Sequence, residues 1–326
     1  MAQHDASGQR DATTAPDAPA LREAAGHEAP LDVLLEAPRV EAARGRPTPS
    51  AIVARYGGTL EVPLRARRPT LIANFVESID GVVALATGPG GGGSDISGSS
   101  EPDRFVMALL RSIADAVVVG AGTVRSAPTH EWTPRAIAPA WESACDEWRA
   151  SLGLPPQPTT VVVSAAGDVP SHHPGLASPD VPVIIATTSD GAETLTRRGV
   201  PGQARVEVVA DEGPIRGDAI VALLGRAGVR LALCEGGPHL LSDLLDGDAL
   251  DELFLTLAPQ VLGRAESFTR FGLAEGHAWE PETARWAEIV SVRRAGSHLF
   301  LRYAFELSPD GRVGRRPDEG RKAKER

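Results

Sequence analysis

The strongest constraint on the fold is an alternation. Apolar, β-branched runs at 70–76, 115–120, 159–164, 181–188, 205–210, 229–234 and 252–259 are separated by segments of helical periodicity. Several early runs, such as DAVVVG and TTVVVS, are apolar almost throughout, the composition of parallel strands covered on both faces. Strands and helices that alternate in this way pack as layers, with a parallel sheet in the middle. Two later runs, EIVSVRR (288–294) and LFLRYAFEL (299–307), are joined by a short Gly-containing link and read as an antiparallel hairpin. The predicted fold is α/β: a mainly parallel central sheet flanked by helices, with antiparallel C-terminal strands.

The helices carry start and stop signals. In SSEPDRFVMALLRSI, Ser100 is the N-cap candidate and Pro102 falls in the first turn, while Phe105, Val106, Leu109, Leu110 and Ile113 form one stripe. GDAIVALLGRAG runs from Asp218 to a stop at Gly228. Residues 127–158 hold Trp132, Trp141, Trp148 and six prolines but no convincing strand. A helix over AWESACDEWRAS puts Trp141, Cys145 and Trp148 on one face, expected to pack on the core or form a lid. Cys145 has no His or Lys nearby in sequence to activate it as a nucleophile.

The ends differ from the middle. Residues 1–29 and 308–326 offer almost nothing to bury and are expected to be disordered, the second as a basic tail. Residues 30–67 lead into a folded domain over 68–307. The net charge of −10 argues against nucleic-acid binding, which needs a basic surface. Two cysteines support neither a disulfide framework nor a multi-thiolate zinc site, the histidines show no ligand spacing, and no metal is expected. No run approaches the roughly 20 apolar residues of a membrane span, and the N-terminus lacks secretory-signal features. A soluble, cytoplasmic chain is expected.

Three glycine-rich stretches compete for attention. GPGGGG (88–93) fits G-x-G-x-x-G in form, but its helical pattern starts only near Pro102, so it reads as a mobile loop. In DAVVVGAGTVRSAP a strand runs into Gly120-Ala121-Gly122-Thr123, where a ligand can approach the backbone. A tight turn without a ligand is the competing reading. In CEGGPHLLSDLL, Gly236 and Gly237 open a helix mouth suited to an anion, with Glu235 beside it. Two such turns at the carboxyl ends of parallel strands favour a phosphate-bearing ligand.

The segments ANFVESIDG (73–81), DRFVMALLRSIADAVVVGAGTVR (103–125) and CEGGPHLLSDLLDGDALDELFLTLAPQVLG (234–263) resemble the pyrimidine reductase family of riboflavin biosynthesis, whose fold is similar to dihydrofolate reductase. The resemblance implies a homodimeric, NADPH-dependent reductase acting on a phosphorylated pyrimidine. Its hydride would go to the ribosyl C1′ of 5-amino-6-(5-phosphoribosylamino)uracil or a close analogue. By the same resemblance the cofactor is held by Gly120, Gly122, Thr123, Gly236, Gly237, Pro238, His239 and Leu240, with Ser164 near the adenosine ribose. Substrate contacts fall on Glu235, Arg111 and Asp80. Each has a plainer alternative: a carboxylate binding N–H groups at a helix mouth, a surface arginine, and turn chemistry before Gly81. Arg197, Arg198 and Arg205 are candidates for the cofactor's 2′-phosphate only because arginine suits that group.

Two departures weaken the substrate assignment more than the cofactor assignment. The family's Asp-Asp-Pro is Ser126-Ala127-Pro128 here, and its Trp-Ile-Thr or Trp-Ile-Ser is Asp95-Ile96-Ser97. Reduction of a pterin or dihydrofolate, or a non-catalytic NADPH-binding regulator, therefore stand as alternatives. The H-x-E and P-C-x-x-C motifs of a zinc deaminase are absent, and residues 1–67 are too few to hold one.

Overall fold

The computed structural model describes residues 29–38, 48–85, 93–266 and 269–305. Its first strands are β1 (Asp32–Glu36), β2 (Thr70–Ser78), β3 (Ala84–Leu85), β4 (Ala116–Gly120), β5 (Thr159–Val163) and β6 (Val183–Thr188). They are followed by β7 (Arg205–Ala210), β8 (Leu231–Cys234), β9 (Glu252–Ala258), β10 (Arg270–Phe271), β11 (Glu288–Ala295) and β12 (His298–Ala304). The helices are α1 (Ser50–Tyr56), α2 (Gly93–Ser97), α3 (Glu101–Ile113), α4 (Ala121–Ser126) and α5 (Pro134–Ile137). After them come α6 (Glu142–Ser151), α7 (Pro174–Ala177), α8 (Ser189–Arg198), α9 (Gly217–Arg226) and α10 (Pro238–Asp246).

One large sheet has the order β1-β11-β12-β9-β2-β8-β4-β5-β6-β7, and β3 pairs separately with β10. From β9 to β7 every neighbouring pair is parallel. The β9–β12, β12–β11 and β11–β1 pairs are antiparallel. This is the mixed α/β sheet that the alternation predicts.

Strand periodicity divides the core in two. Val117 and Val119 of β4 pack with Phe105 and Leu109 of α3 on one face. Ala116 and Val118 pack with Ile220 and Leu224 of α9 and Leu241 of α10 on the other. Both faces of the central strands are thus buried, which is why their sequences do not alternate.

The predicted cap of α3 is in place, with Ser100 Oγ accepting from the Asp103 N–H at 3.4 Å. At the other end the fully buried Arg149 donates through Nη1 to the carbonyls of Arg111, Ser112 and Ala114, at 2.9, 3.2 and 2.8 Å. A side chain from α6 thereby satisfies carbonyls that the helix end leaves over. Trp148 and Cys145 of α6 are buried and Trp141 meets the Phe105 ring at 4.6 Å, so the aromatic face packs on the core.

Several elements differ from expectation. Helix structure begins at Gly93, before the segment expected to be loop up to Pro102: α2 is pinned by Gln260 Nε2, which donates to the Asp95 and Ile96 carbonyls. The lead-in contributes β1 and α1 to the fold. β1 carries no burial alternation because all five of its residues are exposed at the sheet edge. The expectations for residues 1–28, for 88–92 of the glycine run and for the basic tail lie outside the described residues.

Candidate functional site

From β4 the chain runs outward through β5, β6 and β7, returns through β8, and continues to β9 on the far side of β2. Where strand order reverses in this way, the carboxyl ends of the parallel strands border a crevice. Here it is a cavity of about 510 Å³, walled by Asn74, Phe75 and Val76 of β2, the α3 face and the turns after β4 and β8.

The two glycine turns interlock. A Cβ on Gly236 would lie 2.3 Å from the Gly120 backbone nitrogen and 2.5 Å from Val119 Cα. Gly237 N–H donates to Thr123 Oγ1 at 2.8 Å, so this amide is engaged within the protein rather than free for an anion. The first turn of α10 has no side-chain cap, so among the described residues its His239 and Leu240 N–H groups have no side-chain acceptor. Thr123, Gly237 and Pro238 reach the cavity wall itself.

On α3, Asp103, Met107 and Arg111 follow one another at intervals of four and line the cavity as one face. Arg111 is fully buried and Glu235 nearly so, and they form a bidentate pair. Arg111 Nε donates to Glu235 Oε1 and Oε2 at 3.0 and 3.1 Å, and Nη2 to Oε2 at 2.6 Å. Nη1 donates to the carbonyls of Glu131 and Thr133 at 3.2 and 2.9 Å. Nη2 also lies 2.9 Å from His130 Nε2. All five N–H groups are engaged. Arg111 is not a surface arginine, and that expectation is corrected; with its N–H groups engaged within the protein it has none left over for a sugar phosphate. It orients Glu235, whose Oε1 keeps a lone pair for a ligand N–H.

Asp80 is not on the cavity wall. Ser78 Oγ donates to its Oδ1 at 2.6 Å, and the amides of Leu262 and Gly263 donate to the carboxylate at 3.1 and 2.7 Å. These bonds, the Ser78 one first, hold the carboxyl at about 2. Its position supports turn chemistry. Ser164 is buried beside β6, with its amide bonded to the Ala186 carbonyl at 3.0 Å, and is not brought to the cavity. His239 is exposed at the mouth of α10, edge-on to Phe271 at 6.0 Å. Buried Cys234, its thiol pushed up to about 12 by burial, is no nucleophile. Among the described residues no group of His, Cys, Asp and Glu is arranged to hold a metal.

Two cavity residues escaped the sequence reading. His130 had no signal beyond its place just after the departing Ser-Ala-Pro. Asp103 was findable, since projecting α3 backward from Arg111 puts it on the same face. Burial raises the Asp103 carboxyl to about 6, against an opposing hydrogen bond from Thr256. Between the unfolded value near 4 and this one, the folded state holds a proton that the unfolded state has released. Stability is therefore lost as pH rises through that window. Asp103→Asn is expected to stabilise the protein by about 2–3 kcal/mol at pH 7 and by nearly nothing at pH 4, read from urea unfolding at both. A buried acid on a cavity wall is a candidate functional position.

The family model of the RibD C-terminal domain matches residues 69–289. A 2,5-diamino-6-ribosylamino-4(3H)-pyrimidinone 5′-phosphate reductase of Archaeoglobus fulgidus is 28% identical over 202 residues, 62% of this chain and 85% of the relative. The fold is shared with a pyrimidine reductase-like protein of Corynebacterium diphtheriae, at TM-score 0.53 and 21% identity, over 76% of this chain and 93% of that one. It is shared too with the Thermotoga maritima diaminohydroxyphosphoribosylaminopyrimidine deaminase/5-amino-6-(5-phosphoribosylamino)uracil reductase, at TM-score 0.50 and 18% identity. That match covers 73% of this chain and 57% of the other.

Proposed function

The chain belongs to the RibD C-terminal domain family, and from that premise we propose that it is an NADPH-dependent reductase of a phosphoribosylamino-pyrimidine in riboflavin biosynthesis. The observation that carries the reading is the convergence on one cavity of two interlocked glycine turns and a buried Arg111–Glu235 pair. The archaeal relative bears the name of a reductase of such a pyrimidine phosphate.

The residues fit a nicotinamide cofactor. Bare backbone at Gly120 and Gly122 and the uncapped α10 mouth, with His239 and Leu240 N–H, suit its pyrophosphate. When bound, NADPH supplies the hydride that reduces the ribosyl C1′. Glu235 accepts a ring N–H of the pyrimidine through Oε1, held in place by Arg111. Asp103 carries its proton on a carboxyl oxygen below about pH 6 and faces the same space. The apolar sides of Phe75, Val76 and Met107 exclude water around the reacting carbon.

Beside the first turn, Arg125 Nη1 lies 2.8 Å from the Asp168 carbonyl and 3.2 Å from its Oδ2, and Arg198 Nη1 lies 2.7 Å from Asp168 Oδ1. Two exposed guanidinium groups share one carboxylate, leaving net positive charge for a 2′-phosphate. Arg125→Ala is expected to lower the kcat/KM ratio of NADPH over NADH about tenfold, the worth of one charge-assisted hydrogen bond, measured with both cofactors.

Absorbance of NADPH in the presence of purified protein and either pyrimidine, the aminouracil or the diaminopyrimidinone ribosyl phosphate, tests the whole reading. Enzyme-dependent loss of signal is expected with at least one. NADPH binding without turnover of either would refute it.

A further inference from the structure

We propose that His130 is a specificity residue of this site, donating a hydrogen bond from Nδ1–H to a neutral acceptor on the bound ring, a carbonyl oxygen or ring nitrogen. The inference deepens the reductase reading and rests on it for the identity of the ring.

A guanidinium has five N–H groups and no lone pair, and keeps its charge throughout the ordinary pH range. Arg111 Nη2 lies 2.9 Å from His130 Nε2, so Nε2 must be the acceptor and carry no proton. A histidine whose Nε2 accepts is neutral, with its proton on Nδ1. Among the described residues no protein acceptor takes that N–H, and the ring belongs to the cavity wall. Trp132 meets the imidazole edge-on at 5.3 Å and stacks on His173 at 5.6 Å. His173 Nε2 is bonded in turn to the Ala127 carbonyl at 2.9 Å. Segment 127–132 is braced, and the ring with it.

The charged and titratable groups around the ring agree with a neutral form. Burial first, then Arg111 and then His173, bring the imidazole down to about 3. The N–H that Arg111 points at Nε2 favours the neutral ring directly, since a protonated Nε2 has no lone pair to accept it. The outcome is an exchange: one N–H of a cation is spent on His130, which presents an uncharged donor instead. An uncharged donor suits a carbonyl or ring nitrogen better than a phosphate, whose recognition calls for a positive partner. The heterocycle, rather than the sugar phosphate, therefore faces this wall.

Nitrogen-resolved imidazole spectra of the full-length protein decide the first half. His130 is expected as the neutral Nδ1–H form at every point from pH 5 to pH 8. An imidazolium, or the Nε2–H form, would overturn the proposal. Kinetics decide the second half. His130→Leu keeps bulk without donor or acceptor and is expected to raise KM for the phosphoribosylamino-pyrimidine about tenfold, with kcat changed much less. His130→Asn, whose amide both accepts from Arg111 and donates, is expected to bring KM back to within about threefold of wild type. A wild-type KM in the leucine variant, or no recovery in the asparagine one, sinks the proposal. If the leucine variant does not fold, the asparagine variant and the spectra still decide. Failure of wild type to turn over the pyrimidine would instead remove the reductase reading, and the spectra would still settle whether the donor exists.

Discussion

Glu235→Ala is expected to lower the unfolding free energy by about 3–5 kcal/mol and to leave no measurable pyrimidine turnover. The size follows from what stays behind. Arg111 is fully buried, and without the carboxylate its Nε and one N–H of Nη2 lose their acceptors while the charge remains. Glu235→Gln separates the two roles, because the amide keeps the volume and one acceptor but not the charge. It should weaken substrate use much more than cofactor binding. The double variant Arg111→Met with Glu235→Met removes both charges but leaves the Glu131 and Thr133 carbonyls and His130 Nε2 without their donor, so its stability should recover only part of the loss while activity stays lost. Urea unfolding and steady-state kinetics on the three proteins make the comparison. A single alanine variant as stable as wild type would mean that the pair does not exist in solution.

Gly236→Ala carries the next largest effect. The added methyl would sit 2.3 Å from Gly120 N, 2.5 Å from Val119 Cα and 2.7 Å from Val119 C, all backbone atoms with no rotamer to escape into. The two turns must part, at a cost of about 1–3 kcal/mol, and the proposed cofactor cradle parts with them. NADPH affinity, followed by fluorescence titration, is expected to fall at least about a hundredfold, since a 1 Å misplacement is worth that much. Gly120→Ala is the matched control. Its Cβ would meet nothing within 4 Å, and its φ of −81° and ψ of 151° are ordinary for any residue. That variant should unfold like wild type, yet bind NADPH more weakly because the methyl occupies space left for the ligand. Equal cofactor binding in both variants and wild type would move the nucleotide elsewhere.

Periodicity made the central strands and α3 legible, because burial on both faces writes itself as unbroken runs such as AVVVG and LALC. It could not reveal β1, whose DVLLE is exposed throughout and held by edge pairing with β11. Nor could it reveal α2, which is held by a glutamine 165 residues away from Asp95 in sequence. Glu235, Arg111 and the glycine turns stood out as residue types in local patterns. The bonds among them did not: no local pattern says that Thr123 consumes the Gly237 amide, or that His130 takes the last N–H of Arg111. Asp80 and Ser164 show the converse, residues with the right chemistry where the Asp80 side chain serves the turn and the Ser164 backbone the sheet.

The position of β8 between β2 and β4 also bears on how the chain comes to be folded. Arg111 and Glu235 are 124 residues apart, and Thr123 and Gly237 114. Contacts of that span form slowly, after loop closure has been paid for in entropy. Until Leu231–Cys234 has been synthesised and inserted, β2 and β4 each present an unpaired apolar edge, and Arg111 has no counter-charge. A nascent or truncated chain ending before Leu231 lacks β9 as well as β8, so it exposes both edges of β2 and one of β4 at once, the kind of surface that aggregates and calls on chaperones.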